Sequence, residues 1–443
     1  MNIRLSDHFN YKNLIRFTLP SVVMMVLTSV YGVVDGLFVS NFVGKTAFAS
    51  INLIMPFLMV LGGVGAMLGV GGSALVAKTL GMGEIDKANR YFTMMIYLMG
   101  IVGVIFSVIG IVFVEPVSYF FGATENMIDE CVLYGRAVLI FNAPYLMQYS
   151  FQSFLVVAER PKLGLLVTVA AGVTNMLLDA LFIVVFKWGI VGAALATGLS
   201  QTVGGVVPLI WFMSKRNNSQ LHLTKTGFEI KPITKACTNG VSEMLSSVSG
   251  SITGVLYNRQ LIKYAGEDGV AAYGVAMYAA FLFIAVFIGF SSGSAPIISY
   301  NYGAQNSKEL KNVMAKSIKI IVFLNLFLTT FAVALAYPIS YVFVGYNQSL
   351  LTLTTRAFVI CAVPFLLLGF NIYTSSFFTA LNDGGVSAII SSLRSLVFPT
   401  ICIIVMPMLF GLDGVWFSLL AGEILSFAVS LTYIFAKRKK YNY

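Results

Sequence analysis

The 443-residue sequence predicts an all-α membrane protein, roughly twelve transmembrane helices in two pseudo-symmetric six-helix lobes. Three observations carry this reading. Hydrophobic residues make up 58% of the chain and charged residues only 10%, with a mean hydropathy of +0.86. No water-exposed surface can be assembled from so few charges, so the solvent is lipid. About twelve apolar runs reach the roughly 20 residues that a helix needs to cross a hydrocarbon core, and they lack the two-residue alternation of membrane strands. Shifting the chain by about 222 residues lays Gly32 on Gly254, Gly44 on Gly266, Gly71 on Gly293, Gly189 on Gly411 and Gly192 on Gly414, a repeat of half the chain.

The runs fall near residues 14–40, 47–78, 90–114, 131–157, 163–186 and 190–213, then 233–262, 270–300, 317–344, 350–380, 385–409 and 413–436. Between the sixth and seventh lies the polar stretch 214–230, expected to link an N-terminal lobe, 1–213, to a C-terminal lobe, 231–443. With an even number of crossings per repeat, both lobes enter from one side, so the repeat is parallel and a cleft lies between its halves. Lys and Arg concentrate in the termini and in the loops after even-numbered runs, from Arg4 and Lys12 through Lys87, Arg160 and Lys231 to Lys316 and Lys437. Both termini are therefore expected in the cytoplasm. The net charge of +10 is this positive-inside bias rather than a nucleic-acid footprint, since it is spread over many short loops. The basic N-terminus runs straight into a run too long for a signal-peptide core and is expected to be retained. Cys131, Cys237, Cys361 and Cys402 lack metal-like spacing and read as packing residues. Prolines 20, 56, 144, 208, 296, 364 and 399 fall inside predicted spans, where each removes a backbone hydrogen bond and invites a kink. Pro20 is the candidate hinge, because it shares its span with a buried acid.

A charge at membrane depth costs roughly 2.5 to 3.5 kcal/mol even on insertion scales, which makes such residues functional candidates. In the first lobe, Asp35 and Asp179 both reach about 24 to 27 Å from the inner edge, and Thr197 comes down from the outer edge to a similar level. Asn175 lies one turn below Asp179 on the same helix face. Two carboxylates, an amide and a hydroxyl at one level suit a hard cation with oxygen ligands, or a proton shared between two acids. They could instead be structural glue, but the repeat places Tyr257 and Ile401 at the two acidic positions, and a purely architectural need should persist in both lobes. In the second lobe Glu243, Arg394 and Glu423 fall near the bilayer middle. Arg394 and Glu423 read as a buried ion pair, while Glu243 has no obvious partner and is a candidate anchor for a cationic substrate, with Asn142 and Asn371 as further candidate substrate contacts. No strand and no Lys-Ser/Thr ending turns the Gly-rich stretch from Gly62 into a phosphate loop, so no nucleotide cofactor is expected.

The segment TLPSVVMMVLTSVYGVVDGLFVS with Pro20 and Asp35, TNMLLDALFI with Asn175 and Asp179, and VGAALATGLSQ with Thr197 resemble the multidrug and toxic compound extrusion (MATE) family over essentially the whole chain. The resemblance implies that Asp35, Asn175, Asp179 and Thr197 form a first-lobe site for sodium or a proton, and that rocking lobes export organic, mostly cationic drugs. It further implies a monomeric, multi-pass protein of the prokaryotic plasma membrane that is a cation-coupled antiporter and not an enzyme. In one branch an acid matching Glu243 acts in the second lobe beside an aspartate in span 10, where this chain offers Asn371. The alternative within the superfamily, a flippase for lipid-linked oligosaccharides, calls for several deep basic residues, and only Arg394 is present. An intramembrane aspartyl protease is disfavoured, because neither aspartate sits in a GxGD context and a two-lobe repeat has no role in proteolysis. A triad or zinc enzyme is less favoured still, since His8 and His222 lie at the membrane edge.

Overall fold

The computed structural model describes residues 3–443, and these are helical throughout, with no strand. The first lobe contains α1 (Tyr11–Phe38), α2 (Lys45–Gly81), α3 (Ile85–Phe120), α4 (Ile128–Leu139), α5 (Asn142–Val157), α6 (Pro161–Asp179) and α7 (Gly189–Met213). The second contains α8 (Ile230–Gly303), α9 (Ser307–Val344), α10 (Gln348–Ala362), α11 (Phe365–Ala380), α12 (Gly384–Ser392) and α13 (Phe398–Tyr441). Eight described helices are alone long and apolar enough to cross a membrane, and α10 with α11, bent by 44°, makes a ninth. The other crossings come from the similarly broken pair α4 and α5 and from reversals inside α8 and α13, completing the pattern of passes read from the sequence.

Both reversals turn on glycine. A straight α8 would be about 110 Å long and would hold Tyr257 and Tyr273 about 24 Å apart. Their rings instead stack at 5.5 Å, because the chain turns back at Gly266, with φ 61° and ψ −149°. Gly411, with φ 59° and ψ −135°, does the same in α13 and brings Arg394 before the turn against Glu423 beyond it. Gly44 and Gly189 also have positive φ. These are two of the glycine pairs superposed by the repeat, so the shared glycines mark turns that a side chain would strain.

Two of the prolines expected to kink a span coincide with a break. Pro364 caps α11, and Pro144 sits in the first turn of α5, where its missing N–H costs nothing. The helix α1 runs through Pro20 without interruption.

Both chain ends lie on one face, where Asn442 reaches Ser307 and Leu5 reaches Asn301. The lobes meet near this terminal face through backbone. A Cβ on Gly81 would lie 2.0 Å from the Tyr300 carbonyl oxygen, and one on Gly303 would lie 2.0 Å from that of Lys78. The shift of 222 carries Lys78 to Tyr300 and Gly81 to Gly303, so the contact is self-complementary, as a pseudo-two-fold axis requires. Gly71 and Gly240 repeat the close approach one layer deeper. In lipid no hydrophobic drive presses helices together, and such small-residue contacts take its place. Towards the opposite face, Gly32, Gly250, Gly254 and Gly274 have nothing within 4 Å of a built Cβ. The interface is closed at the terminal face and open at the other.

Adding a methyl at the closed contact should act as overpacking. Gly303→Ala is expected to cost about 1 to 3 kcal/mol, read as a lower thermal midpoint of purified protein, whereas Gly254→Ala should be neutral or stabilising. Equal effects at both positions would contradict the closed geometry.

Candidate functional site

Asp35 lies four residues before the π-helical turn Val39–Val43, and Asp179 directly before the π-helical turn Ala180–Val185. The wider turns are closed by Gly44 N–H donating to Val39 C=O at 3.1 Å and Phe186 N–H to Leu181 C=O at 2.9 Å. A third π-helical turn, Leu393–Val397, contains Arg394. In each case the extra residue rotates the following helix relative to its regular course, and such bulges concentrate at functional sites. This rotation explains why Ile401, which the repeat equates with Asp179, is 51% exposed while Asp179 is 0% exposed.

The sequence-predicted first-lobe residues do come together. The carboxyl groups of Asp35 and Asp179 face each other within hydrogen-bonding reach. Each presents only acceptor oxygens in its ionised form, so neither satisfies the other. Both oxygens of Asp179, one of Asp35 and the Thr197 hydroxyl are buried with no hydrogen-bond partner. Asn175 is buried on α6, one turn from Asp179. Leaving such groups unmet at this depth is costly, and the missing partner is chemically defined as a proton or an oxygen-liganded cation. Among the described residues no three of His, Cys, Asp and Glu gather as for a transition metal.

The sequence reading missed Tyr134. This residue of α4 is 1% exposed, and its phenol stands beside the Thr197 hydroxyl in the field of both aspartates. A buried tyrosine in an apolar helix carries no distinguishing pattern, and only its helix's approach to α7 reveals it. At the position the repeat equates with Asp35, Tyr257 donates to or accepts from Ser418 at 2.9 Å and stacks on Tyr273. The second lobe thus fills with satisfied aromatic packing the place where the first holds an unsatisfied acid.

The three residues expected to contact substrate do not converge. Asn142 is 3% exposed at the break between α4 and α5, where its Nδ2 donates to Gly103 C=O of α3 at 3.1 Å, so its amide holds two helices together. Asn371 donates from Nδ2 to Glu423 Oε2 at 2.6 Å. Arg394 Nη1 lies 3.7 Å from Glu423 Oε1, the ion pair expected from sequence. Glu243, expected to lack a partner, lies in the field of Arg394, a proximity that sequence reading could not see because the two are on different helices.

The MatE family model matches residues 20–181 and again residues 243–405. The multidrug export protein MepA of Staphylococcus saprophyticus is 23% identical over 434 residues, covering 97% of this chain and 94% of that protein. A solved structure described as the outward-facing conformation of a multidrug resistance MATE family transporter of the MOP superfamily aligns with TM-score 0.92 at 24% identity, covering 98% of this chain and 97% of that one. A MATE structure in the straight conformation aligns with TM-score 0.90 at 25% identity, covering 98% of both chains.

If the two aspartates serve an ion rather than the fold, neutralising one should not weaken the protein. Asp179→Asn is expected to keep the unfolding free energy within about 1 kcal/mol of the parent or raise it, since a buried unpaired charge is removed. A thermal midpoint well below the parent's would make Asp179 a structural residue.

Proposed function

The chain belongs to the MatE family, and on that premise we propose that it is a multidrug efflux antiporter, exporting organic, mostly cationic compounds in exchange for inward-moving protons or sodium ions. The observation that carries the reading is the face-to-face pair Asp35 and Asp179, buried without a donor. Ligands can move the lobes only through different affinities for the two cleft states. With the cleft open away from the terminal face, a coupling ion entering from that side meets Asp35, Asp179, Asn175 and Thr197, with Tyr134 alongside, and neutralises the pair. Once the pair is neutral it no longer holds a cationic substrate by charge. When the cleft reopens at the terminal face the ion leaves, and the restored charge favours loading the next substrate.

The Lys and Arg distribution supports a multi-pass protein of the prokaryotic plasma membrane with its terminal face in the cytoplasm. The pseudo-two-fold closed contact supports lobes of 1–213 and 231–443, joined by 214–230, working within one monomer. Pro20, which leaves the Arg16 carbonyl without a helical donor, is the point at which α1 bends to follow the ion. The flippase alternative needs a free deep base, whereas Arg394 is engaged by Glu423.

Ethidium efflux from proteoliposomes under imposed sodium or pH gradients tests the coupling. Asp35→Asn and Asp179→Asn are each expected to lower gradient-driven efflux at least tenfold. Parent-like efflux in both variants would overturn the site, and the gradient that drives the parent identifies the ion.

A further inference from the structure

The segments leading into the two lobes are each docked on a helix of the opposite or neighbouring half at the terminal face. The first, residues 3–10, lies across the start of α9. Glu309 of α9 accepts the Phe9 N–H at 2.9 Å and pairs with His8 Nδ1 at 2.8 Å. Asn312 and Lys316 of the same helix donate to the Phe9 carbonyl at 3.0 and 2.7 Å. Leu5 and Phe9 are buried in the apolar core of the second lobe. The second segment, residues 221–229, lies across the start of α3, where His222 N–H donates to Asn89 at 2.9 Å and Thr224 N–H to Thr93 at 3.0 Å. Helices α3 and α9 are the third spans of their lobes, so each lobe's leading segment runs over the third span of the other before entering its own first helix.

We infer that these exchanged arms clasp the terminal face shut, with Glu309 anchoring the first arm to the second lobe and Glu159 holding it to the first. The inference rests on the reading that the lobes rock. Glu159, in the turn between α5 and α6, accepts the Leu5 N–H at 2.7 Å. It is held at φ 60°, a region that side chains other than glycine occupy at a cost. Its repeat counterpart Asn382, also at φ 60°, crosses the interface the other way and donates to the Ala74 carbonyl at 3.3 Å. When the lobes part at this face, the arm must leave one of them. The second lobe grips it with a buried carboxylate, an amide, an ammonium and an apolar seat, and the first with Glu159. Burial pushes the Glu159 carboxyl above its ordinary value, against the opposing effects of the Leu5 N–H and Arg4. Exposure to water therefore favours its charged form, and the Glu159 contact is the release point. Both acids are positioning residues that set the balance between the two cleft states without touching the transported ions.

The test measures that balance directly. Spin labels at Lys162→Cys and Lys311→Cys, exposed positions near the starts of α6 and α9, report the gap across the terminal face when the four native cysteines are replaced and efflux is retained. Glu309→Ala and Glu159→Ala are each expected to raise the long-distance population at least threefold in full-length protein without a gradient. Glu309→Gln should restore much of the parent distribution, since its carbonyl oxygen still accepts the Phe9 N–H. Glu84→Ala, removing an exposed acid paired with Lys87, should change nothing. If Glu309→Ala fails to fold, deletion of residues 2–9 poses the same question. A parent that populates two distances while the arm variants match it would overturn the clasp alone. A parent fixed at one distance under acid, alkali and sodium would overturn both the clasp and the rocking-lobe reading.

Discussion

A peptide chain in hydrocarbon cannot hand its N–H and C=O groups to water, and each group must find a partner within the fold. Helices satisfy that demand by themselves, which is why the described residues are helical across every apolar run. The same demand dictates where helices may stop. Turns fall where the backbone has other partners or leaves the lipid, and they use glycines such as Gly266 and Gly411. Where a helix must carry a charge at depth, it stays helical but widens. The three π-helical turns beside Asp35 and Asp179 and around Arg394 alter side-chain direction without giving up the backbone ladder.

Duplication supplies the mechanics, and its breakdown supplies the chemistry. The pairing of Gly81 and Gly303 with Tyr300 and Lys78 keeps the pseudo-two-fold, so two equal lobes can meet and part about one axis. The polar groups do not keep it. The first lobe faces Asp35 with Asp179 and leaves their oxygens unmet, whereas the second pairs Arg394 with Glu423 and ties that acid to Asn371. One lobe asks for an external cation, and the other carries its own.

Closing a transporter at one face also needs something that is lost when that face opens. Glycine contacts between backbones are short-ranged, and a small separation abolishes them. The exchanged arms act over a longer reach, because a segment can stay seated on one lobe while it lets go of the other. The asymmetry between Glu309, with its several partners, and Glu159, with its strained backbone, gives that release a direction.

Composition and periodicity sufficed for the lipid solvent, the helical class, the repeat and the level at which Asp35, Asn175, Asp179 and Thr197 meet, because depth along a helix is a simple function of residue count. Rotation about the helix axis is not. A single π-helical turn rotates all that follows, so Asp179 is buried while its repeat partner Ile401 faces outward. Lateral neighbours were equally hidden. Tyr134 joins the aspartates, Arg394 lies near Glu243, and Asn142 goes to Gly103 rather than to a substrate. Each of these is set by which helix packs beside which, an outcome of many weak contacts between surfaces that no local stretch of sequence specifies alone.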